Sequence, residues 1–254
     1  MNKFICATIL KLFNCLGLFI RKNTDLYPLI STDRIFNEIY ESTRRYTMTS
    51  REQMYSLYKA AEYIIENSIP GDFVECGIWR GGSAMIMAYT LKALGDTGRK
   101  IYLYDTFQGM PEPSPLDTRL NKKELKAYLL WRANIRKNHN RLCYAPLREV
   151  KENLQLTGYP MENFVFVKGL IEETIPSNTP DKIALLRLDT DWYSSTRHEL
   201  EELYPLLVRD GILIIDDYGI WSGSKKATDE YFKDKKVFLA RIDSDGRLLV
   251  KTDG

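Results

Sequence analysis

The sequence predicts an α/β protein whose Rossmann-like, wound parallel sheet is closed by a terminal antiparallel hairpin. Three observations predict it. Five aliphatic runs alternate with helical periods from Gly71 onward, and strands apolar on both faces belong in a sheet covered on both sides. Glycines and aspartates gather just past those runs, where wound sheets place their ligands. The chain ends "VFLARIDSDGRLLVKTDG", two apolar runs joined by a turn sequence, a hairpin signal.

Taken in order, residues 24–70 read as helical and connective. In "SREQMYSLYKAAEYIIENSIPG", Ser50 stands before an acidic first turn, and Met54, Leu57, Tyr58, Ala61, Ile64 and Ile65 recur at a helical period until Ile69-Pro70-Gly71 stops it. "DFVECG" is the first strand and "SAMIMAYTLKAL" the helix after it. "KIYLYDT", "FVFVKG", "IALLRLD" and "GILIIDD" are the remaining strands. "LREVKENLQLTG", "STRHELEELYPLL" and "KKATDEYFKD" are the helices among them. Residues 110–145, Pro-rich early and rich in Lys, Arg and Asn later, form a long insertion after the second strand, a candidate lid. Three parts follow: an apolar segment 1–22, a helical lid or extension 23–70, and a ligand-binding domain 71–254.

Bulk composition narrows the function. Thirty-six basic and 34 acidic side chains leave a net charge of +2, which gives no electrostatic case for nucleic acid. Cys6, Cys15, Cys76 and Cys143 are widely spaced, without a CxxC pair, so neither a zinc site nor a disulfide framework is expected and a cytoplasmic location is the default. The stretch "FICATILKLFNCLGLFI", residues 4–20, is apolar but interrupted by Lys11 and Asn14, and a bilayer span wants roughly 20 apolar residues. Three readings stay open for it: an amphipathic helix on a membrane surface, which would put the protein at the inner face of the membrane, a helix packed on the body or a partner subunit, and a short anchor.

The turn "VECGIWRGGSA" lies between the first strand and its helix. Gly77, Gly81 and Gly82 allow a tight bend and close approach of a ligand to the helix N-terminus. The pattern is not GxGxxG, and Trp79-Arg80 occupies the place where a pyrophosphate needs bare backbone. Glu75 would repel a diphosphate but suits the ammonium or sulfonium of S-adenosylmethionine. Asp105 ends the second strand 28 residues after Gly77, where an acid can bind both ribose hydroxyls. These features point to an adenosyl ligand; a nicotinamide-dependent oxidoreductase and a non-catalytic adenosyl-binding scaffold are the alternatives.

"LLRLDTDWYSSTRHELEELYPLLVRDGILIIDDYG" places Asp189 and Asp191 past one aliphatic run and Asp216 and Asp217 past the next. Strand ends meet water and Asp suits turns and caps. The alternative is convergence on a cation that cancels the repulsion of four carboxylates.

Seven ordered segments, "YTMTSRE", "GDFVECGIWRGGSA", "YDTFQGMPEP", "CYAPLREVKENLQLTGYP", "FVKGLIEETIP", "LRLDTDWYSST" and "LIIDDYG", together resemble the macrocin O-methyltransferase (TylF-type) family. Its members are metal-dependent enzymes that methylate sugar hydroxyls from S-adenosylmethionine, on macrolide and aminocoumarin antibiotics among others. The likeness runs from about Tyr46 to about Tyr231 and implies the Rossmann-like class I methyltransferase fold. It also implies that Asp189, Asp216 and Asp217 hold Mg2+ and that Asp191 is the general base. Glu75, Gly77, Ser83 and Asp105 match the cofactor turn and ribose acid, and Thr47 and Met48 a segment closing over the cofactor's methionine end. Ile171 and Glu172 fall where related catechol-type enzymes hold adenine. The acceptor implied is a small molecule or glycan, and a homo-oligomer is consistent with the fold.

The chemistry calls for such residues. An aliphatic alcohol holds its proton too tightly to attack at neutral pH, and a magnesium ion bound by hard oxygen ligands lowers that barrier. Asp191, two residues beyond Asp189, can face the same crevice and take the proton; capping the next helix is its alternative use. His139 is the rival base, and His198 a weaker one. Trp131, Tyr128 and Tyr218 are candidates for lining the acceptor pocket, with packing inside a lid the other account for the first two.

Overall fold

The structure is a computed structural model and describes residues 28–120 and 127–252. The apolar segment 4–20 lies outside the described residues. Two compact units divide between Asn37 and Glu38. The first contributes α1 (Pro28–Thr32) and the start of α2 (Arg34–Thr43). The remainder of α2 and everything after it belong to the second.

Helix α3 (Arg51–Glu66) begins where Ser50 caps it, its side chain accepting from Gln53 N. Met54, Leu57, Tyr58, Ala61 and Ile64 form its buried stripe while Ile65 stays half-buried, and it packs on α4. Next come β1 (Asp72–Cys76), α4 (Gly82–Ala93), β2 (Ile101–Asp105), α5 (Ala127–Ala133) in the insertion, and α6 (Leu147–Gln155). They are followed by β3 (Phe164–Lys168), α7 (Ile171–Thr174), β4 (Ile183–Leu188), α8 (Tyr193–Glu202), β5 (Leu207–Ile215), α9 (Ser222–Phe232), β6 (Ala240–Arg241) and β7 (Arg247–Val250).

The strands form one sheet in the order β3-β2-β1-β4-β5-β7-β6. The first five are parallel, and β7 and β6 add the antiparallel hairpin at one edge. β4 shows why the strands read as continuous apolar runs: all six of its residues are buried. The direction of winding reverses between β1 and β4, and there the carboxyl edge of a wound sheet opens a crevice. Among the described residues no helix is long and apolar enough to cross a membrane.

Candidate active site

Strand register sets the site. Cys76, Leu188 and Ile215 are aligned across β1, β4 and β5, so Gly77, Asp189 and Asp216 emerge side by side. The ladder runs one step past the strands: Asp189 N donates to Cys76 O at 2.8 Å and Asp216 N to Leu188 O at 2.9 Å. A cavity of about 540 Å³ opens here. Thr47, Met48, Glu75, Gly77, Ser83, Asp105, Ile171, Glu172, Asp189, Asp191, Asp216 and Asp217 all line it.

Its first wall is the glycine turn. Gly77 has φ +85°, and a Cβ there would sit 1.9 Å from Asp189 O, so only glycine lets β1 and β4 end this close. A Cβ on Gly82 would lie 2.6 Å from Tyr46 O, and Gly82 N donates to that carbonyl at 2.9 Å, joining the Tyr46-Thr47-Met48 segment to the turn. Asp105 braces the bend. Its Oδ2 accepts from Ile78 N (2.7 Å) and Trp79 N (3.2 Å), and its Oδ1 from Phe107 N (2.6 Å). Burial raises its pKa, with these backbone donors opposing. Oδ2 has both acceptor positions filled, while Oδ1 retains acceptor capacity for a ligand hydroxyl. Glu75 Oε2 is buried without a hydrogen-bond partner, an orphaned acceptor suited to a ligand cation.

The second wall is acidic, and its two halves differ. On one side Arg187, buried in β4, donates through Nη1 to Glu75 Oε1 and Asp189 Oδ2, both at 2.8 Å. Through Nη2 it donates to Asp216 Oδ1 at 2.5 Å and Thr49 Oγ1 at 3.3 Å. On the other side Asp191, at φ +67°, donates its backbone N–H to Asp217 Oδ2 at 3.0 Å, and their carboxyls face one another. Burial first, with repulsion from neighbouring carboxylates, raises the pKa of Asp189, Asp216 and Asp217. Burial pushes Glu75 up to about 7 against the pull of Arg187. It pushes Asp191 up to about 8, with Asp189 adding to the shift. Without a metal ion, the cluster relieves its repulsion by holding protons.

A divalent cation would relieve it instead. Oxygens of Asp189, Asp216 and Asp217 lie within 4.8 Å of one another. An octahedral ion with bonds of about 2.1 Å holds neighbouring oxygens about 3.0 Å apart and opposite ones about 4.2 Å apart, so the three carboxylates would draw inward to close on it. Three hard oxygen donors on rigid strand ends suit Mg2+.

Other candidates fall elsewhere. Asp191 does not cap α8: the cap residue is Trp192, which makes no side-chain cap bond, and Tyr193 N donates instead to Asp117 Oδ1 at 2.8 Å. His139 is stacked on Tyr144 and lines a separate groove, and His198 Nε2 lies 3.2 Å from Ile175 O. Trp131 Nε1 donates to Met110 O, Tyr128 packs against Trp131, and Tyr218 Oη donates to Asp229. None of the three lines the aspartate cavity.

Sequence reasoning missed Arg187, although a lone arginine inside "IALLRLD" was the signal: a cation on a strand buried on both faces needs acids at its tip. It also missed Asp117 and Arg119 of the insertion, and Asp243–Asp245 in the β6–β7 turn. There Asp243 Oδ2 accepts from Ser50 Oγ at 2.6 Å and so fixes the turn against the start of α3. These contacts join residues far apart in the chain and leave no local pattern.

Residues 40–249 match the model of the macrocin-O-methyltransferase (TylF) family. A tetracenomycin-derivative 4'-O-methyltransferase from Streptomyces olivaceus, whose acceptor carries a dimethoxy-rhamnosyl group, is 35% identical over 69% of this chain and 63% of its own length, so the match spans less than two thirds of that relative. Demethyldecarbamoylnovobiocin O-methyltransferase from Streptomyces niveus is 31% identical over 79% and 74%. The solved structure of the O-methyltransferase NovP superposes with a TM-score of 0.71 at 31% identity, covering 82% of this chain and 83% of that one. The architecture is the Rossmann-like class I methyltransferase fold.

Proposed function

The chain belongs to the macrocin-O-methyltransferase (TylF) family, and from that premise we propose that it transfers the methyl group of S-adenosylmethionine to a hydroxyl of a sugar or glycosylated small molecule, with Mg2+ as cofactor. The observation that carries the reading is the trio of Asp189, Asp216 and Asp217 oxygens in the same cavity as the glycine turn.

Each residue then has a task. Glu75 faces the donor's cationic end, Asp105 takes its ribose hydroxyls, and Ile171 and Glu172 border its adenine. Thr47 and Met48 close over the methionine end; Met48 is 66% exposed, as expected of a flap. Asp189, Asp216 and Asp217 hold the ion. A bound Mg2+ supplies Lewis acidity that makes the alcohol oxygen a better nucleophile. Asp191 takes the proton that the alcohol gives up as the methyl–oxygen bond forms and the methyl–sulfur bond breaks. The glycine turn and strand ends are rigid, which suits a transfer whose main demand is in-line alignment.

Titration calorimetry with S-adenosylmethionine tests the donor site: binding at micromolar levels that falls at least tenfold in Asp105→Ala is expected, and no binding to the wild type would overturn the proposal. Mass spectrometry of glycan and metabolite extracts incubated with the enzyme and the donor should show products heavier by one methyl group. Methylation that persists in EDTA would remove the metal.

A further inference from the structure

The insertion carries a second feature that the aspartate cavity does not use. Residues 127–146 hold Arg132, Arg136, Lys137 and Arg141 and no acidic side chain, in a chain of net charge +2. Residues 134–141 turn back as a small hairpin: Arg136 N donates to His139 O at 2.8 Å and Arg141 N to Asn134 O at 2.9 Å, with Ile135 bridged to Asn140. Arg136, Lys137 and Arg141 are exposed. Among the described residues no carboxylate pairs with any of them, whereas nearby Arg80 and Arg148 each have a glutamate. With Asn138, His139 and Tyr144 they line a groove of about 650 Å³. The His139 ring stacks on Tyr144 with centroids 4.1 Å apart.

Adjacent residues of one ribbon line this groove and the aspartate cavity. Tyr144 faces the groove while Cys143, its neighbour, lines the cavity. Met110 N donates to Leu142 O at 3.0 Å and Asn140 N to Gln108 O at 2.8 Å, tying the ribbon to the loop whose Met110 also lines the cavity. On the cavity side, Arg119 is the one Lys, Arg or His among the described lining residues, and its Nε is buried without a hydrogen-bond partner.

Surface charges of both signs are ordinarily interspersed, and three cations gathered without acids repel one another unless an anion joins them. Two guanidinium groups and an ammonium match a multiply charged anion, since guanidinium forks take phosphate oxygens in pairs; a single carboxylate would leave most of the groove unpaired. We propose that this groove is the subsite for a diphosphate on the acceptor, so that the substrate is a glycosyl diphosphate whose sugar hydroxyl enters the aspartate cavity. The inference rests on the methyltransferase reading and specifies its acceptor. A nucleotide sugar and a polyprenyl-linked sugar share this chemistry.

Titration calorimetry on the full chain, in chelator so that the aspartates hold no metal, tests it with inorganic pyrophosphate, uridine diphosphate and farnesyl diphosphate. Binding is expected for each, weakened at least tenfold in Arg136→Gln/Lys137→Gln and unchanged in the control Lys233→Gln/Lys236→Gln, which removes the same charge elsewhere. The single Lys137→Gln variant, at the hairpin tip, serves if the double variant does not fold, with a threefold or larger loss expected. Tighter binding of uridine diphosphate assigns the nucleotide source, and tighter binding of farnesyl diphosphate the lipid-linked one. No diphosphate binding, equal loss in the control, or a groove variant that loses only its attachment to phosphatidylglycerol vesicles would overturn the inference. S-adenosylmethionine titrated into the same samples separates the two claims: donor binding without diphosphate binding sinks the subsite alone, and absent donor binding sinks the methyltransferase reading.

Discussion

The two halves of the acidic wall are neutralised in different ways. Glu75, Asp189 and Asp216 surround Arg187, a cation built into β4. Asp191 and Asp217 face each other, and no described Lys, Arg or His pairs with either. One arginine beside three carboxylates offsets part of the repulsion on its side, and the rest of the cluster is left to protons or to an ion from solution. The asymmetry shows which carboxylates already have a cation beside them and which depend wholly on protons or an added ion, and the candidate ion site of Asp189, Asp216 and Asp217 draws on both groups.

Breaking the built-in half should have the largest effect. Arg187→Met leaves the buried Glu75 and the half-buried Asp189 and Asp216 without their partner, and removing one member of a buried ion pair costs about 3–5 kcal/mol. Urea unfolding of the variant in EDTA should show a loss of that order, and added Mg2+ should restore part of it. The open half should respond in the opposite sense. Asp217→Asn keeps an acceptor for Asp191 N but removes a charge, so in EDTA the variant should be more stable than the wild type, by on the order of 1 kcal/mol. Its methyl transfer should fall at least a hundredfold. A destabilised Asp217→Asn protein would mean that the two halves are not distinct.

The pH dependence sharpens the same contrast. Glu75 at about 7 and Asp191 at about 8 lie above their ordinary values of 4.5 and 3.8. The folded chain thus binds more protons than the unfolded one between those limits. That contribution to stability is complete below about pH 4 and is lost as pH rises through 7 and 8. Between pH 5 and 8.5 the melting temperature in EDTA should therefore fall, and saturating Mg2+ should flatten the slope. The smallest effect belongs to the loop that carries Asp189 and Asp191. Thr190 Oγ1 donates to the buried Glu199 Oε1 at 2.9 Å, and Thr190→Val should cost about 1 kcal/mol while lowering Mg2+ affinity, both readable by calorimetry.

Much of this arrangement could be read from the sequence. Apolar runs with helical periods between them gave the parallel strands, and the Asp-Ser-Asp-Gly turn gave the terminal hairpin. "LRLDTDW" and "LIIDDYG" brought their aspartates to one place because β4 and β5 are neighbours in register. Long-range pairings were not legible. Arg187 became meaningful only once β1 put Glu75 beside it. Asp117 supplies the bond at the start of α8 from an insertion 76 residues away, and no local signal announces that. The basic stretch in the insertion was legible as composition, but its hairpin and groove depend on backbone pairing with residues 108–110.

The most direct measurement is titration of Mg2+ into the chelator-treated chain with S-adenosylmethionine present. One ion per chain should bind, with release of protons from the aspartates. Binding should be lost in Asp217→Asn and kept in Asp105→Ala saturated with donor. A wild-type chain that takes up no ion, or an Asp217→Asn chain that binds as well as the wild type, would contradict the claim that Asp189, Asp216 and Asp217 form a cation site.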